Sequence, residues 1–297
     1  MNETQRYWFD SQGYFVVPGV LSDEHLASLK ATMGPPTEQH DPGAKHDNPL
    51  HWSAAWRSLT DLPQLRTILE TLVGNHALDK HRQGKDGEDR LPTYRLDHIN
   101  VHQHIGRGFG GMDLHGGWTA AGGSQFFRYH NGEFYNGLIV VAFELFDTTS
   151  NGGGFCCIPG SHKANLALPN EWVLKGGDAG GLLKGISASA GDAIIFTETL
   201  VHGTLPWQVD AKRQTAFFKF SPHGTSWTAD YFDPSDFVHY PDVTDRQLAL
   251  LEAPNARYRG RQTRPVRRQS APQLESPIEP EVAPKVDLQV KPQGESP

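Results

Sequence analysis

Apolar positions recur along this chain with two different periods, and the change from one to the other divides it. Near the N-terminus the helical period dominates. Ser22 is a good N-cap, Asp23 and Glu24 complement the dipole of the helix that follows, and Leu26, Leu29 and Met33 share one of its faces. Two prolines beyond Gly34 stop it. A second helix is predicted over Leu62 to Val73, where Leu65, Ile68, Leu69 and Leu72 fall at helical spacing and Gly74-Asn75 closes the run. Ahead of both, Trp8 to Val20 reads as a short helix or turn and then a strand, broken at Gly13.

From Thr93 onward the pattern becomes short apolar runs between Gly and Pro turns. Thr93 to His104 predicts a strand with His102 and His104 on one face. Ser124 to Tyr129 and Leu138 to Phe146 flank His130-Asn131-Gly132, a hairpin signal. Ser187 to Phe196, with a tight turn at Gly191-Asp192, and Thr215 to Ser221 complete the set. Many short strands preceded by helices predict a mainly β protein with flanking helices (α+β), built on a double-sheet jelly roll. Residues 1–258 form the expected single domain. Pro35 to Pro49 and Arg82 to Arg90 lack periodicity and read as surface loops. Beyond Tyr258, Arg259, Arg261, Arg264, Arg267 and Arg268 precede a tail with seven prolines from Pro265 onward. With so little apolar surface to offset ordering entropy, 259–297 is expected to be a disordered Arg/Pro-rich tail.

Composition narrows the partners. A length of 297 residues with 37% hydrophobic positions supports a sizeable core. A net charge of -7 argues against nucleic acid as the main partner and leaves a small molecule as the default. The chain has no apolar run of membrane-spanning length and no signal-peptide stretch, so no membrane partner and a cytoplasmic location are expected. The cysteines, Cys156 and Cys157, are adjacent on a predicted strand, badly placed to bridge each other, and read as buried small hydrophobes. The sequence leaves the oligomeric state open.

The chemistry gathers around Gly110 to Trp118, where His115 stands among glycines. His202 in Thr-Glu-Thr-Leu-Val-His-Gly and Arg213 in Ala-Lys-Arg-Gln-Thr arrive much later. Two neutral imidazoles and usually one carboxylate, on one face of a non-heme Fe(II), leave room for a bidentate 2-oxo acid and dioxygen. An Arg on the strand after the second His suits a two-point salt bridge to the far carboxylate of that acid, which Lys cannot match. His102 and His104 form a His-x-His pair, but the acidic residue a cupin-type site would carry four positions later is Gly108, so they read as polar residues lining a cavity.

Over roughly Tyr7 to His223 the chain resembles the phytanoyl-CoA dioxygenase family of Fe(II)/2-oxoglutarate oxygenases. The resemblance is carried by Gly13 to Ser22, the His115 motif, Ile158 to Lys163, Gly191 to Phe196, His202 and Arg213. It implies a cupin-like double-stranded β-helix, Fe(II) bound by His115 and His202, 2-oxoglutarate anchored by Arg213, and an oxygenase acting on a small molecule. It also implies that Ile158 to Lys163, including His162, shapes the site wall without binding metal. Trp118 and Trp207 stand beside the two His motifs and are candidates for apolar walls.

One departure sets the chemical question. The family usually reads His-x-Asp at the first motif, and here the Asp position is Gly117. Asp113, two residues before His115, would share a strand face with it and is the expected third ligand. Glu198, four residues before His202, lies about 13 Å away on an extended strand, out of reach unless the strand bends. Hydroxylation of an unactivated C–H is the expected outcome. The alternatives are a radical halogenase, in which halide takes the vacated position, and a binding protein without turnover.

Overall fold

In a computed structural model of the chain, the described residues are 1–33, 48–74, 91–104, 106–108, 111–117, 123–173 and 178–256. The expected loop at Arg82 to Arg90, the tail 259–297, Trp118 and most of Pro35 to Pro49 lie outside them.

Capping residues fix the helices. In α1 (Glu3–Gln12) Asn2 and Gln5 form a capping box, and Gly13 ends the helix in the left-handed conformation at φ 82°. In α2 (Asp23–Ala31) the Ser22 hydroxyl accepts from the His25 amide, as the sequence predicts. After the short α3 (Ala54–Ser58), α4 (Pro63–Leu72) buries Leu65, Ile68, Leu69 and Leu72, the predicted face. A last helix, α5 (Asp245–Leu250), starts at a Thr244/Gln247 capping box.

Eleven strands follow in chain order: β1 (Tyr14–Val17), β2 (Tyr94–His104), β3 (Met112–His115), β4 (Phe127–His130), β5 (Glu133–Asn136), β6 (Ile139–Glu144), β7 (Gly154–Cys157), β8 (Lys184–Gly185), β9 (Ala193–Thr197), β10 (His202–Leu205) and β11 (Arg213–Pro222). They form a five-stranded sheet in the order β1-β9-β6-β11-β2, a four-stranded sheet β3-β10-β7-β8, and the hairpin β4-β5. Every pairing is antiparallel. This is the expected jelly roll with flanking helices.

Alternation on the large sheet separates two cores. Val141, Phe143, Ala216, Phe218 and Leu96 face outward onto the helices, with Phe9, Leu29, Leu65 and Leu250. Val140, Ala142 and Phe217 face inward, with Phe155 and Cys157 of β7 and Phe196 of β9. The site opens from this inner layer.

Two elements depart from the sequence reading. The turn at Asn131 and Gly132, with φ of 52° and 83°, does close a hairpin, but onto β5 and not onto the apolar run after it. That run, β6, lies between β9 and β11 in the large sheet, because a strand apolar on both faces belongs where both faces are covered. The run predicted from Ser187 enters the sheet only at Ala193.

Residues 223–256, left unread in the sequence, fold back over the helical face. Arg57 binds Asp242 at 2.7 Å, Arg246 binds Asp61 at 3.1 Å, and His223 meets Glu252 at 2.8 Å.

Candidate metal centre

His202 opens β10 directly opposite His115, the last residue of β3, and the two rings lie 4.1 Å apart between centroids. Each ring is held by its own strand: His202 Nδ1 donates to the Leu200 carbonyl at 2.7 Å, and His115 Nδ1 donates to the Asp113 carbonyl at 3.0 Å. With Nδ1 protonated on both, each neutral ring offers its Nε2 lone pair, the arrangement a metal requires. Burial, and then the neighbouring His115, push the His202 pKa down to about 3 despite Glu198, so this imidazole stays neutral across the working range.

The carboxylate in the group is Glu198. Ligand atoms of His115, Glu198 and His202 all lie within 4.8 Å of one another, the one such group among the described residues. The extended geometry that would carry Glu198 away ends at Thr197. Residues 198–200 turn, with the Leu200 amide donating to the Thr197 carbonyl at 2.9 Å, and the carboxylate folds back until Oε1 is 3.8 Å from His202 Nε2. Asp113, expected as the ligand, is exposed on β3; it enters through its backbone carbonyl and its side chain is not in the group.

Gly116 and Gly117 permit this approach. Both have positive φ, 95° and 75°, and a Cβ on Gly116 would lie 2.3 Å from the Leu200 carbonyl oxygen. A Cβ on Gly117 would meet Val201 Cγ2 at 2.9 Å. The close packing that brings in Glu198 therefore strains a side chain where the His-x-Asp pattern carries its carboxylate.

Glu198 is buried, which works against its charge, yet Lys219 and then the two imidazoles outweigh burial and hold its carboxyl below the usual range. Lys219 Nζ reaches Oε1 at 3.2 Å, while Oε2 is buried with no hydrogen-bond partner among the described residues. A buried anionic oxygen in that condition is costly unless a cation completes it. The donor set suits Fe(II).

Arg213 starts β11 and is fully buried. Its Nη2 donates to Glu144 Oε1 at 2.9 Å, and Glu144 Oε2 accepts from the Thr215 hydroxyl at 2.7 Å. Nε and Nη1 are buried without a partner among the described residues. The guanidinium lies against Gly154, where a Cβ would sit 3.0 Å from Nε. Gly154 is three residues along β7 from Cys157, which is paired with His202, so about 10 Å separates the two along the sheet. That interval suits a short dicarboxylate.

His104, opposite Arg213, is pushed down to about 3 by burial first and by Arg213 next. His162 is also buried, its Nε2 donating to the Asp10 carbonyl at 3.0 Å, and stands apart from the metal group. Trp207 is buried with its indole donating to the Ala211 carbonyl. Burial raises both cysteine thiols, Cys156 to about 12 and Cys157 further, so neither is a ready nucleophile. Glu144 and Lys219 escaped the sequence reading because a charged residue inside an apolar strand is recognisable only once its partner across the sheet is known.

A two-imidazole, one-carboxylate centre inside a jelly roll is the architecture of a non-heme iron oxygenase. The family model described as Phytanoyl-CoA dioxygenase (PhyH) matches residues 9–215, and the chain belongs to that family. It is an Fe(II)/2-oxoglutarate-dependent dioxygenase, and Fe(II) and 2-oxoglutarate are its cofactors. Among solved structures, HygX from Streptomyces hygroscopicus with nickel and 2-oxoglutarate bound is similar at 21% identity and a TM-score of 0.58, over 76% of this chain and 89% of that one. HygX with nickel, 2-oxoglutarate and hygromycin B bound is similar at 21% identity and 0.57, over 76% and 89%. EctD from S. alaskensis with 2-oxoglutarate and 5-hydroxyectoine is similar at 17% identity and 0.51, over 74% and 76%. At these identities the likeness is one of fold. A comparison with curated proteins found no match. No helix among the described residues is long and apolar enough to cross a membrane.

Proposed function

We propose that this enzyme hydroxylates an unactivated C–H of a small molecule, with the metal held by His115, His202 and Glu198. The observation that carries the assignment is the mutual approach of these three ligand atoms, with the second oxygen of Glu198 left unpartnered. Bound iron supplies oxygen activation coupled to decarboxylation of the oxo acid.

The chain's own residues supply position. Leu200 and Asp113 carbonyls fix the two imidazole tautomers. Glu144 and Thr215 orient Arg213, whose Nη1, buried without a partner among the described residues, is left to donate to the far carboxylate of 2-oxoglutarate. Lys219 keeps Glu198 anionic. With Glu198 as a third protein ligand, the metal would have less room for a halide, which favours hydroxyl over halide transfer.

The test is anaerobic addition of Fe(II) and 2-oxoglutarate, watching for the visible absorption band of the chelated oxo acid. Wild type should develop it at one equivalent of iron, and Glu198→Ala should not. A band in Glu198→Ala that sharpens with chloride would transfer the assignment to the halogenase.

A further inference from the structure

The register between β2 and β11 slips by one residue at Asp97: His98 pairs with Lys219 and Leu96 with Phe220, so two residues on β2 oppose one. Leu96, Ile99 and Val101 all pack into the outer core. Asp97 and His98, caught between outward-facing Leu96 and Ile99, therefore both turn to the inner side, which an unbroken strand would not allow. The bulge places them beside Lys219, whose amine holds Glu198.

Asp97 is fully buried and heavily bonded. Its Oδ2 accepts from Arg95 Nη1 at 3.0 Å, the Ser226 hydroxyl at 3.0 Å, the Ser221 hydroxyl at 3.2 Å and the Trp227 amide at 2.9 Å. Its Oδ1 accepts from the Thr228 amide at 3.3 Å and from His98 Nδ1 at 2.8 Å. A carboxylate in that cage is a fixed acceptor, so Nδ1 of His98 carries a hydrogen. In the neutral ring Nε2 is then a bare lone pair, and it has no hydrogen-bond partner among the described residues. The His98 side chain is 18% exposed, so solvent and ligands reach it.

The same carboxylate fastens residues 226–228, and with them Trp227, whose side chain is 54% exposed. The rest of the inner row of β2 is Asn100, His102 and His104. A long hydrocarbon laid along this row would cover the partly exposed His98 ring without offering its Nε2 a hydrogen.

We propose that Asp97 is a positioning residue that fixes His98 Nε2 as an acceptor for a substrate hydroxyl and Trp227 as a face for the attached ring, so that the substrate is a polyhydroxylated ring compound of the sugar or cyclitol class. This rests on the oxygenase reading above. A hydroxyl donates to His98, the ring's C–H face covers the indole, and a carbon of the ring is presented toward the metal ligands near Lys219.

The test is ligand-observed saturation-transfer NMR on the full chain with 2-oxoglutarate and Zn(II) in place of iron. The probes are methyl glucoside, myo-inositol, hygromycin B and, as the apolar control, decanoate. At least one hydroxylated probe should bind and decanoate should not. His98→Phe should weaken that probe by roughly tenfold, while His98→Gln, which restores an acceptor, should stay within about threefold of wild type. Trp227→Ala, on an exposed side chain, should weaken it by about threefold at an unchanged thermal midpoint. The proposal is overturned if no hydroxylated probe binds, if decanoate binds as well, or if the probe's affinity is indifferent to both His98→Phe and Trp227→Ala. The iron and 2-oxoglutarate absorption band, recorded on the same variants, separates the two readings: its absence in wild type defeats the oxygenase assignment, and its presence without probe binding defeats only the substrate class.

Discussion

The amide of Gly117 donates to the carbonyl of Thr199 at 2.7 Å, tying the glycine that follows the first metal-site histidine to the turn that precedes the second. Through this bond the glycine that stands where the His-x-Asp pattern carries its Asp helps to hold the turn that carries Glu198. Glu198 is thus expected to dominate iron affinity. Glu198→Ala should weaken Fe(II) binding by at least about tenfold in anaerobic calorimetry, whereas Asp113→Ala, changing an exposed side chain outside the group, should leave it within about twofold.

Gly116 is the tighter constraint. A methyl there meets the Leu200 carbonyl at 2.3 Å on a backbone with φ of 95°. Gly116→Ala should cost about 1–3 kcal/mol, read as a fall of several degrees in thermal midpoint, together with loss of stoichiometric iron binding. Gly132→Ala, with open space around its Cβ, should show a fall without the iron effect.

Arg213, the proposed 2-oxoglutarate anchor, is held by Glu144. Arg213→Lys keeps the charge and loses the planar guanidinium that binds Glu144 and the oxo acid at once, so 2-oxoglutarate affinity should fall by roughly tenfold or more while Fe(II) affinity is nearly unchanged. Glu144→Gln frees the guanidinium to rotate and should also weaken 2-oxoglutarate. Titration calorimetry with each ligand in turn separates these effects.

Acid should destabilise the metal-free protein. His104 is held down to about 3 and His162 to about 4, burial being the larger cause in each, against an ordinary 6.5. Between those values the unfolded chain binds protons that the folded chain does not. Stability is therefore complete above about pH 6.5 and falls progressively toward pH 4 and below. Urea midpoints measured between pH 8 and 4 should decline below 6.5, with proton uptake on unfolding.

The sequence makes the helices, most strands and the two imidazoles legible, because capping residues, alternation and Gly-framed histidines are local signals. Glu198 is not legible in the same way. An extended strand puts its carboxylate out of reach, and only the turn at 198–200, fixed by contact with Gly116 and Gly117 on a distant segment, brings it back. The polar run Thr197-Glu198-Thr199 after an apolar strand marked that strand's end and was the available clue. The bulge at Asp97 left no such trace, since a register slip is a property of two strands.

The order of strands also sets when the enzyme can come into being. β2 pairs only with β11 among the described strands, and β11 is wedged between β6 and β2. On the ribosome β2 must wait on the order of a hundred residues for its neighbour, about ten seconds at ordinary synthesis rates. From its own synthesis until β11 arrives, β6 shows a bare edge, an invitation to pair with another nascent chain. Arg213 is the residue that opens the missing strand, so the proposed 2-oxoglutarate anchor and the closure of the sheet arrive in one event. A chain halted before it would carry His115 and His202 and still lack the proposed anchor for its cosubstrate.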